Sequence, residues 1–352
     1  LPQISRPTLE QVARHCGVST ATVSKVLNHR PDVAAATRSR VEAALEQLGY
    51  VPSTGPRTVN TLHEVHVVVN TVLNAYVMQA LDGILSAAAS ERVEILVDSL
   101  DAHGEPSSAP LSQRWCEHAV RRGRAGVILV TAEMSPEQRR RLESLGIAVV
   151  AVDPVDPLDD GLISIGGANF TGGVQAAGHL IELGHTHFGF AGGHHRSPAW
   201  SERLHGFLSA LRGCGLDADP SMILERQFDF EDGVQMGSQL LDAPEPPTAI
   251  FCGSDRSAQG VLEAARVRGL RVPEDLSVMG FDDTYATMPT APALTTIRQP
   301  ISEMGRTALR TLLQMHRGAG PDSHHVQLAT QLVVRETTGA PAHMPVGPRS
   351  AD

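Results

Sequence analysis

The stretch TLEQVARHCGVSTATVSKVLN, Thr8 to Asn28, decides how the rest of the chain is read. Thr8 followed by Gln11 has the spacing of a capping box, so a helix is expected from Leu9. Leu9, Val12 and Ala13 share one face of it, and Gly17 ends it where a left-handed residue costs least. Ser19 can cap a second helix, Thr20 to Asn28, with Val23, Val26 and Leu27 turned inward. A third is expected from about Ala34 to Leu48, with Val41, Ala44, Leu45 and Leu48 as its apolar stripe and Gly49 as its stop. A helix, a short turn containing glycine and a second short helix form the arrangement in which the second helix reads DNA. Its outward face agrees. Thr20, Ala21, Thr22, Ser24, Lys25 and Asn28 are hydroxyls, small groups and one cation, able to approach a groove floor.

Charge divides the chain in the same place. The 352 residues carry a net charge of -10. Residues 1–57 hold seven basic against four acidic side chains, a net of +3, while the remainder holds 22 against 35, a net of -13. A small basic head on a large acidic body suggests a separate nucleic-acid-binding module. No apolar run approaches the roughly 18 residues of a membrane helix, and no signal segment opens the chain, so a cytoplasmic location is expected. Cys16, Cys116, Cys214 and Cys252 are scattered, without a C-x-x-C, and are expected to be buried thiols.

The head resembles the lac-repressor (LacI/GalR) family of bacterial regulators over Thr8–Asn28, then Thr37-Arg-Ser-Arg-Val41 and Leu48-Gly-Tyr-Val-Pro52. The resemblance implies that Thr20, Ala21 and Lys25 face bases, and that Ser19, Thr22, Ser24 and Asn28 touch phosphates or seat the helix, with Thr8 in the same DNA-binding set. The chemistry is consistent with this, since Ala21 can pack on a thymine methyl and Lys25 can donate to guanine. The family continues into a hinge helix whose Leu wedges into the minor groove. Here the segment runs Pro52-Ser-Thr-Gly-Pro-Arg-Thr-Val-Asn-Thr61, and Gly55-Pro56 is poor helix material. Val59 falls at the wedge position, so a degenerate or DNA-induced hinge is expected.

From Glu64 onward, short apolar runs alternate with helix-period segments, the pattern of parallel sheets flanked by helices, in a number that suits two lobes. Ligands in such folds sit beyond the carboxyl ends of strands. The residues placed there are Asn70, Asn74, Tyr76, Asp153, Asn169, Phe170, Trp200, Arg203, Asp229, Phe230, Ser254, Asp255, Asp282 and Asp283. Carboxylates, amides and an Arg fork give a polyol its bidentate hydrogen bonds, and aromatic rings cover its C–H faces. The body resembles the same family's periplasmic-binding-protein-like core. It does so through Leu183-Gly-His185, Glu202–Phe207, Pro247–Asp255, Gly269–Asp283 and Leu294-Thr-Thr-Ile-Arg-Gln299. That similarity assigns Arg203, Ser254 and Asp282 to the main effector positions, with Gln299 nearby. Ser254, where sugar-binding members often have Asn, and Gly167, where some have Asp, depart from the pattern.

The expected organisation is an all-α helix-turn-helix head (1–52), an atypical hinge (53–62), and a two-lobed α/β effector-binding and dimerisation domain (63–338) with Rossmann-like parallel sheets. A disordered tail (339–352) is expected to follow. One lobe is expected at about 63–163 and 292–320, the other at about 164–291 and 321–338. His63-Glu64-Val65-His66 is one residue short of H-E-x-x-H and reads as solvated surface. His194-His195 and His324-His325 lack companion ligands, and Arg139-Arg140-Arg141 reads as a solvated face. No P-loop, G-x-S-x-G or nucleophile–base pair is present, so no catalytic residue, metal or cofactor is expected. The expected partners are a palindromic double-stranded operator, a small effector of carbohydrate type, and a second copy of the chain, with a tetramer also open; no membrane is involved. A purine or protein co-effector, and a sugar-binding transport protein, are the alternatives.

Overall fold

The computed structural model describes residues 9–27, 30, 33–48, 63–102, 105–106, 111–112, 115, 125–155, 161–194, 196–285, 291–321 and 323–341. Two compact units divide the chain, Leu1–Leu62 and His63–Asp352.

In the first unit, α1 (Leu9–Cys16), α2 (Thr20–Leu27) and α3 (Ala35–Leu48) enclose Val12, Ala13, Cys16, Val23, Val26, Val41 and Ala44. Gly17 takes a φ of 65° in the turn between α1 and α2, the conformation a Cβ disfavours. The Ser19 hydroxyl accepts the Thr22 N–H at 3.1 Å, so the cap expected from sequence starts α2. Thr8, Asn28, Val59 and the rest of 49–62 lie outside the described residues.

The second unit holds two six-stranded sheets. The first is assembled from β1 (His63–Val69), β2 (Val93–Ser99), β5 (Gly126–Val130), β6 (Ala148–Val152), β7 (Ile163–Gly167) and β13 (His325–Leu328). Its order is β13-β7-β6-β5-β1-β2, parallel throughout. A small hairpin, β3 (Asp101–Ala102) and β4 (Glu105–Pro106), stands apart. Around the sheet lie α4 (Ala75–Glu91), α5 (Pro136–Ser144) and α10 (Ile301–His316). The second sheet uses β8 (Phe188–Gly192), β9 (Ile223–Glu225), β10 (Ala249–Cys252), β11 (Ser277–Asp282), β12 (Thr295–Arg298) and β14 (Gln331–Val333). Its order is β14-β12-β11-β10-β8-β9, with only β14 antiparallel. It is flanked by α6 (Asn169–Glu182), α7 (Pro198–Gly213), α8 (Phe230–Leu241) and α9 (Asp255–Val267). Both sheets have apolar faces buried under helices, as parallel sheets require.

The chain crosses between sheets later than the sequence suggests. β7 and β13 belong to the first lobe and β12 to the second, so the crossings fall near 168, 299 and 329 rather than 163, 292 and 320. The missed strands explain the shift: Ile-Ser-Ile-Gly-Gly ends in two glycines, and Thr295–Arg298 and His325–Leu328 are four residues each. The tail also begins later than expected, because Gly339 donates to Ser277 Oγ at 3.0 Å and its carbonyl accepts from His185.

Other surface expectations are corrected. His66 is 4 % exposed, sits 2.6 Å from an Asp98 carboxylate oxygen and meets Trp115 edge-on, so it is interior, not solvated. Arg139 is half-buried and paired with Glu143 at 2.6 Å. Cys16 and Cys252 are buried but Cys214 is exposed; Cys116 lies outside the described residues. Among the described residues, no helix is long and apolar enough to cross a membrane, and no group of three or more His, Cys, Asp or Glu is placed to hold a metal.

α4 and α10 meet backbone to backbone. A Cβ on Gly83 would stand 1.8 Å from the Ser302 carbonyl oxygen, and one on Gly305 would stand 2.2 Å from that of Ala80. Gly83→Ala is therefore expected to destabilise the second unit by about 2–3 kcal/mol, as overpacking does. Calorimetry should show its melting transition lowered by several degrees, and an unchanged transition would refute the close approach.

Candidate functional site: the cleft between the two lobes

Helices α6 and α7 use the same device. A Cβ on Gly173 would lie 2.1 Å from the Arg203 carbonyl oxygen, and one on Gly206 would lie 2.0 Å from that of Phe170. This approach carries Arg203, 4 % exposed, to the carboxyl ends of β10 and β11. Its Nε donates to Asn169 Oδ1 at 2.9 Å and Nη1 donates to the Gly253 carbonyl, while Nη2 stands 3.6 Å from Asp282 Oδ1. The guanidinium carbon lies 3.9 Å from the centroid of Phe281 and 5.7 Å from that of Phe228. A planar, delocalised cation tolerates such a seat, with its donors paired in the plane and a ring over its face.

Two carboxylates face this cation from opposite lobes. Asp153 follows β6, accepts the Tyr76 hydroxyl and takes a backbone hydrogen bond from Gly167. Tyr76 is placed by Asn74, whose side chain caps α4 by accepting the Tyr76 N–H at 2.8 Å. Asp282 ends β11 and accepts Gln299 Nε2 at 2.8 Å. Burial pushes the Asp153 carboxyl up, with Arg203 and Tyr76 opposing. Burial likewise holds Asp282 up at about 6, against Arg203 and Gln299 and aided by the charge of Asp153. The Tyr76 phenol is raised by burial and then by Asp153.

Thr131, Asp153, Asp282 and Asp283 all have positive φ, 46°, 44°, 113° and 57°. Each such non-glycine residue costs about 1–3 kcal/mol, and these follow or end the central strands β5, β6 and β11, where the cleft lies. Asp283 is held there by Arg298 and Arg335 at 2.7 and 2.6 Å.

The cavity between the lobes measures about 490 Å³, within the range of small-ligand pockets. Of the residues singled out from sequence, Asn70, Asn74, Tyr76, Asp153, Arg203, Asp229, Ser254, Asp255 and Asp282 line it. Ser254 caps α9, with its oxygen accepting the Ser257 N–H at 3.1 Å. Asp255 is tied down by Thr296 and by the Thr284 N–H. Asn169 and Gln299 stand behind the lining, bonded to Arg203 and Asp282.

Three aromatic expectations are corrected. Trp200 packs in the second lobe's core against Phe190 at 6.4 Å, Phe170 is 45 % exposed on α6, and Phe230 is a half-buried first residue of α8. None of the three lines the cavity. Beside Tyr76, the ring that does is Phe228, two residues ahead of Phe230. Asp229 caps α8 by accepting the Asp232 N–H, and Phe228 precedes that cap; locating the cap was the sequence signal available. Thr131, whose hydroxyl donates to Asn70 Oδ1 at 3.0 Å, was also missed.

Comparison with known proteins agrees with this architecture. Residues 8–53 match the model for bacterial regulatory proteins of the lacI family, and residues 177–338 match a periplasmic binding protein-like domain. The HTH-type transcriptional repressor CytR of Escherichia coli is 34% identical over 344 residues, 96% of this chain and 98% of that one. The chain belongs to the lacI family. The repressor PurR of Haemophilus influenzae is 31% identical over 94% of this regulator and 98% of its own length. Among solved structures, the lac repressor dimer bound to operator and the anti-inducer ONPF is 28% identical, with a TM-score of 0.76, over 96% of this chain and 100% of that one. A CelR–cellobiose complex is 29% identical, with a TM-score of 0.70, over 94% and 100%.

A carboxyl held above its ordinary value stabilises the folded regulator fully below about pH 4, and that contribution is lost as pH rises through about 6. Relative to the native chain, Asp282→Asn should therefore gain stability between pH 4 and 7, by at most about 3 kcal/mol. Calorimetry of both proteins across that range checks it; a difference independent of pH would contradict the raised carboxyl.

Proposed function

We propose that this lacI-family chain is a transcriptional repressor whose hold on a palindromic operator is set by a sugar or short oligosaccharide bound in the cleft. The observation that carries the reading is the convergence of two buried carboxylates and a fully seated guanidinium on one cavity. Asp153 and Asp282 can each accept two hydroxyls, Arg203 can donate, and Tyr76 and Phe228 can cover C–H faces. Asn74, Ser254 and Asp255 add polar contacts, while Asn169 and Gln299 hold the charged groups in place. CelR with cellobiose and the lac repressor with its anti-inducer support a sugar. Regulation without a catalytic step, in the cytoplasm where operator DNA is found, belongs to the same proposal.

In the head, Thr20, Ala21 and Lys25 would face bases, with Thr8, Ser19, Thr22, Ser24 and Asn28 on phosphates and Val59 at the minor groove. Thr20, Ala21 and Lys25 are exposed on α2, which supports this assignment. Two heads would read two half-sites, so the working species is a homodimer, as in the lac repressor complex. Because coupling is reciprocal, a ligand that loosens operator binding is itself bound more weakly by the operator-bound form.

A purine is the second reading, favoured by the Phe228 ring beside the guanidinium. A thermal-shift panel of mono- and disaccharides against purine nucleobases and nucleosides separates the two. A ligand at 100 times its Kd stabilises by about 2.7 kcal/mol, and shifts with the purines alone would displace the sugar reading. Arg203→Ala should abolish the response of operator binding to the active ligand while ligand-free operator affinity survives in gel-shift assays; loss of both would indicate misfolding. Lys25→Ala should cost about 1–3 kcal/mol on the operator and far less on random DNA. An equal loss on both would reduce Lys25 to a phosphate contact.

A further inference from the structure

Gln299 occupies an unusual place. It is 1 % exposed and stands between β12 of the second lobe and α10 of the first, at one of the segments where the chain crosses between lobes. Its Nε2 donates to Asp282 Oδ1, and its backbone N–H donates to the Asp282 carbonyl at 3.1 Å. Its Oε1 is buried and has no hydrogen-bond partner among the described residues. That oxygen points at the neighbouring crossing, where a Cβ on Gly167 would fall 2.1 Å from Oε1 and 3.1 Å from Cδ. The amide occupies the space that any side chain at 167 would fill. Gly167, at the end of β7, in turn gives its backbone hydrogen bond to Asp153. Each cleft carboxylate is thus tethered to one of two crossings, and the Gln299 side chain brings those crossings into contact.

We propose that Gln299 and Gly167 form a clamp joining two lobe crossings, which fixes Asp153 and Asp282 relative to one another and passes ligand contact at either into the lobe angle. Gln299 is then a positioning residue. The inference rests on the reading that these carboxylates receive the ligand. A rotation between lobes is absorbed by the φ and ψ of the crossing segments. An amide wedged from one crossing onto the backbone of another makes the two turn together. The unpaired Oε1 marks the side of the amide that gains a partner as they turn, while Nε2 stays on Asp282.

The test reads Asp282 directly, without a ligand, by NMR of the full chain labelled at the aspartate side-chain carbons. Asp282 is faced by Arg203 from α7, Asp153 from the segment after β6, Tyr76 from α4 and Gln299. In the native chain, burial holds its carboxyl up at about 6. Gln299→Leu removes the amide donor and should raise that midpoint by about one pH unit, a tenfold change in the acid constant. Gly167→Ala evicts the amide from its seat and should raise it equally, and the double variant should go no further. Should Gln299→Leu fail to fold by calorimetry, Gln299→Asn, too short to reach Asp282, takes its place with the same expected rise. Hydrogen exchange should quicken together over 163–169 and 295–301 in every variant.

An unmoved midpoint in Gln299→Leu or Gln299→Asn overturns the proposal. So do an unmoved midpoint in Gly167→Ala, effects that add, or exchange rising in one segment alone. If instead these results hold but Asp282→Asn leaves the ligand response of operator binding intact, the ligand reading fails while the clamp stands.

Discussion

The cleft depends on seating one cation, Arg203, in the interior. An unpaired buried charge costs several kcal/mol, and the second lobe is arranged to prevent that. Gly173 and Gly206 let α6 and α7 close backbone to backbone, so the Arg203 Cα reaches the strand ends. The first residue of α6, Asn169, supplies one acceptor, the end of β10 supplies the Gly253 carbonyl, and Phe281 covers the guanidinium face. Substituting either glycine would displace the backbone that carries the charge, so packing and recognition are one constraint here.

Arg203 faces two buried carboxylates from different lobes, and the balance between its charge and their burial sets their protonation. Arg203 lowers the acidity cost of both Asp153 and Asp282, yet burial outweighs it and both carboxyls are held up. Their remaining acceptor capacity is what hydroxyl donors would fill. The positive-φ residues at the same strand ends add backbone strain at the rim of the cavity, in keeping with strain gathering at functional sites.

Much of this was legible in the sequence, for physical reasons that also explain the rest. The head could be read because capping residues and a left-handed glycine act locally: Ser19 and Gly17 do in the structure what their identities require. Strand ends were legible because long apolar runs such as Ala148–Val152 are buried and cannot be confused with loops. Short strands that lie toward the sheet edges, Ile163–Gly167, Thr295–Arg298 and His325–Leu328, carry little apolar signal, and missing them moved each lobe crossing by several residues. Aromatic residues near a cleft mouth could not be sorted by sequence alone. Trp200 and Phe228 have the same local credentials, but only tertiary packing sends one into the core and the other to the cavity wall. His66 shows the same limit, since its burial depends on Asp98 and Trp115, 32 and 49 positions away.

Ligand control requires that the ligand interact differently with two arrangements of the body, since equal affinity for both shifts nothing. On the proposed reading, the cleft would supply that difference through its split ownership. Asp153 and Tyr76 belong to the first sheet's lobe, while Arg203, Ser254 and Asp282 belong to the second. A polyol satisfying acceptors on both sides at once fixes their separation, and no ligand confined to one lobe could do so. The chain passes between the lobes through three short segments, near 168, 299 and 329. A ligand held by both therefore acts on the lobe angle with little backbone to absorb the change.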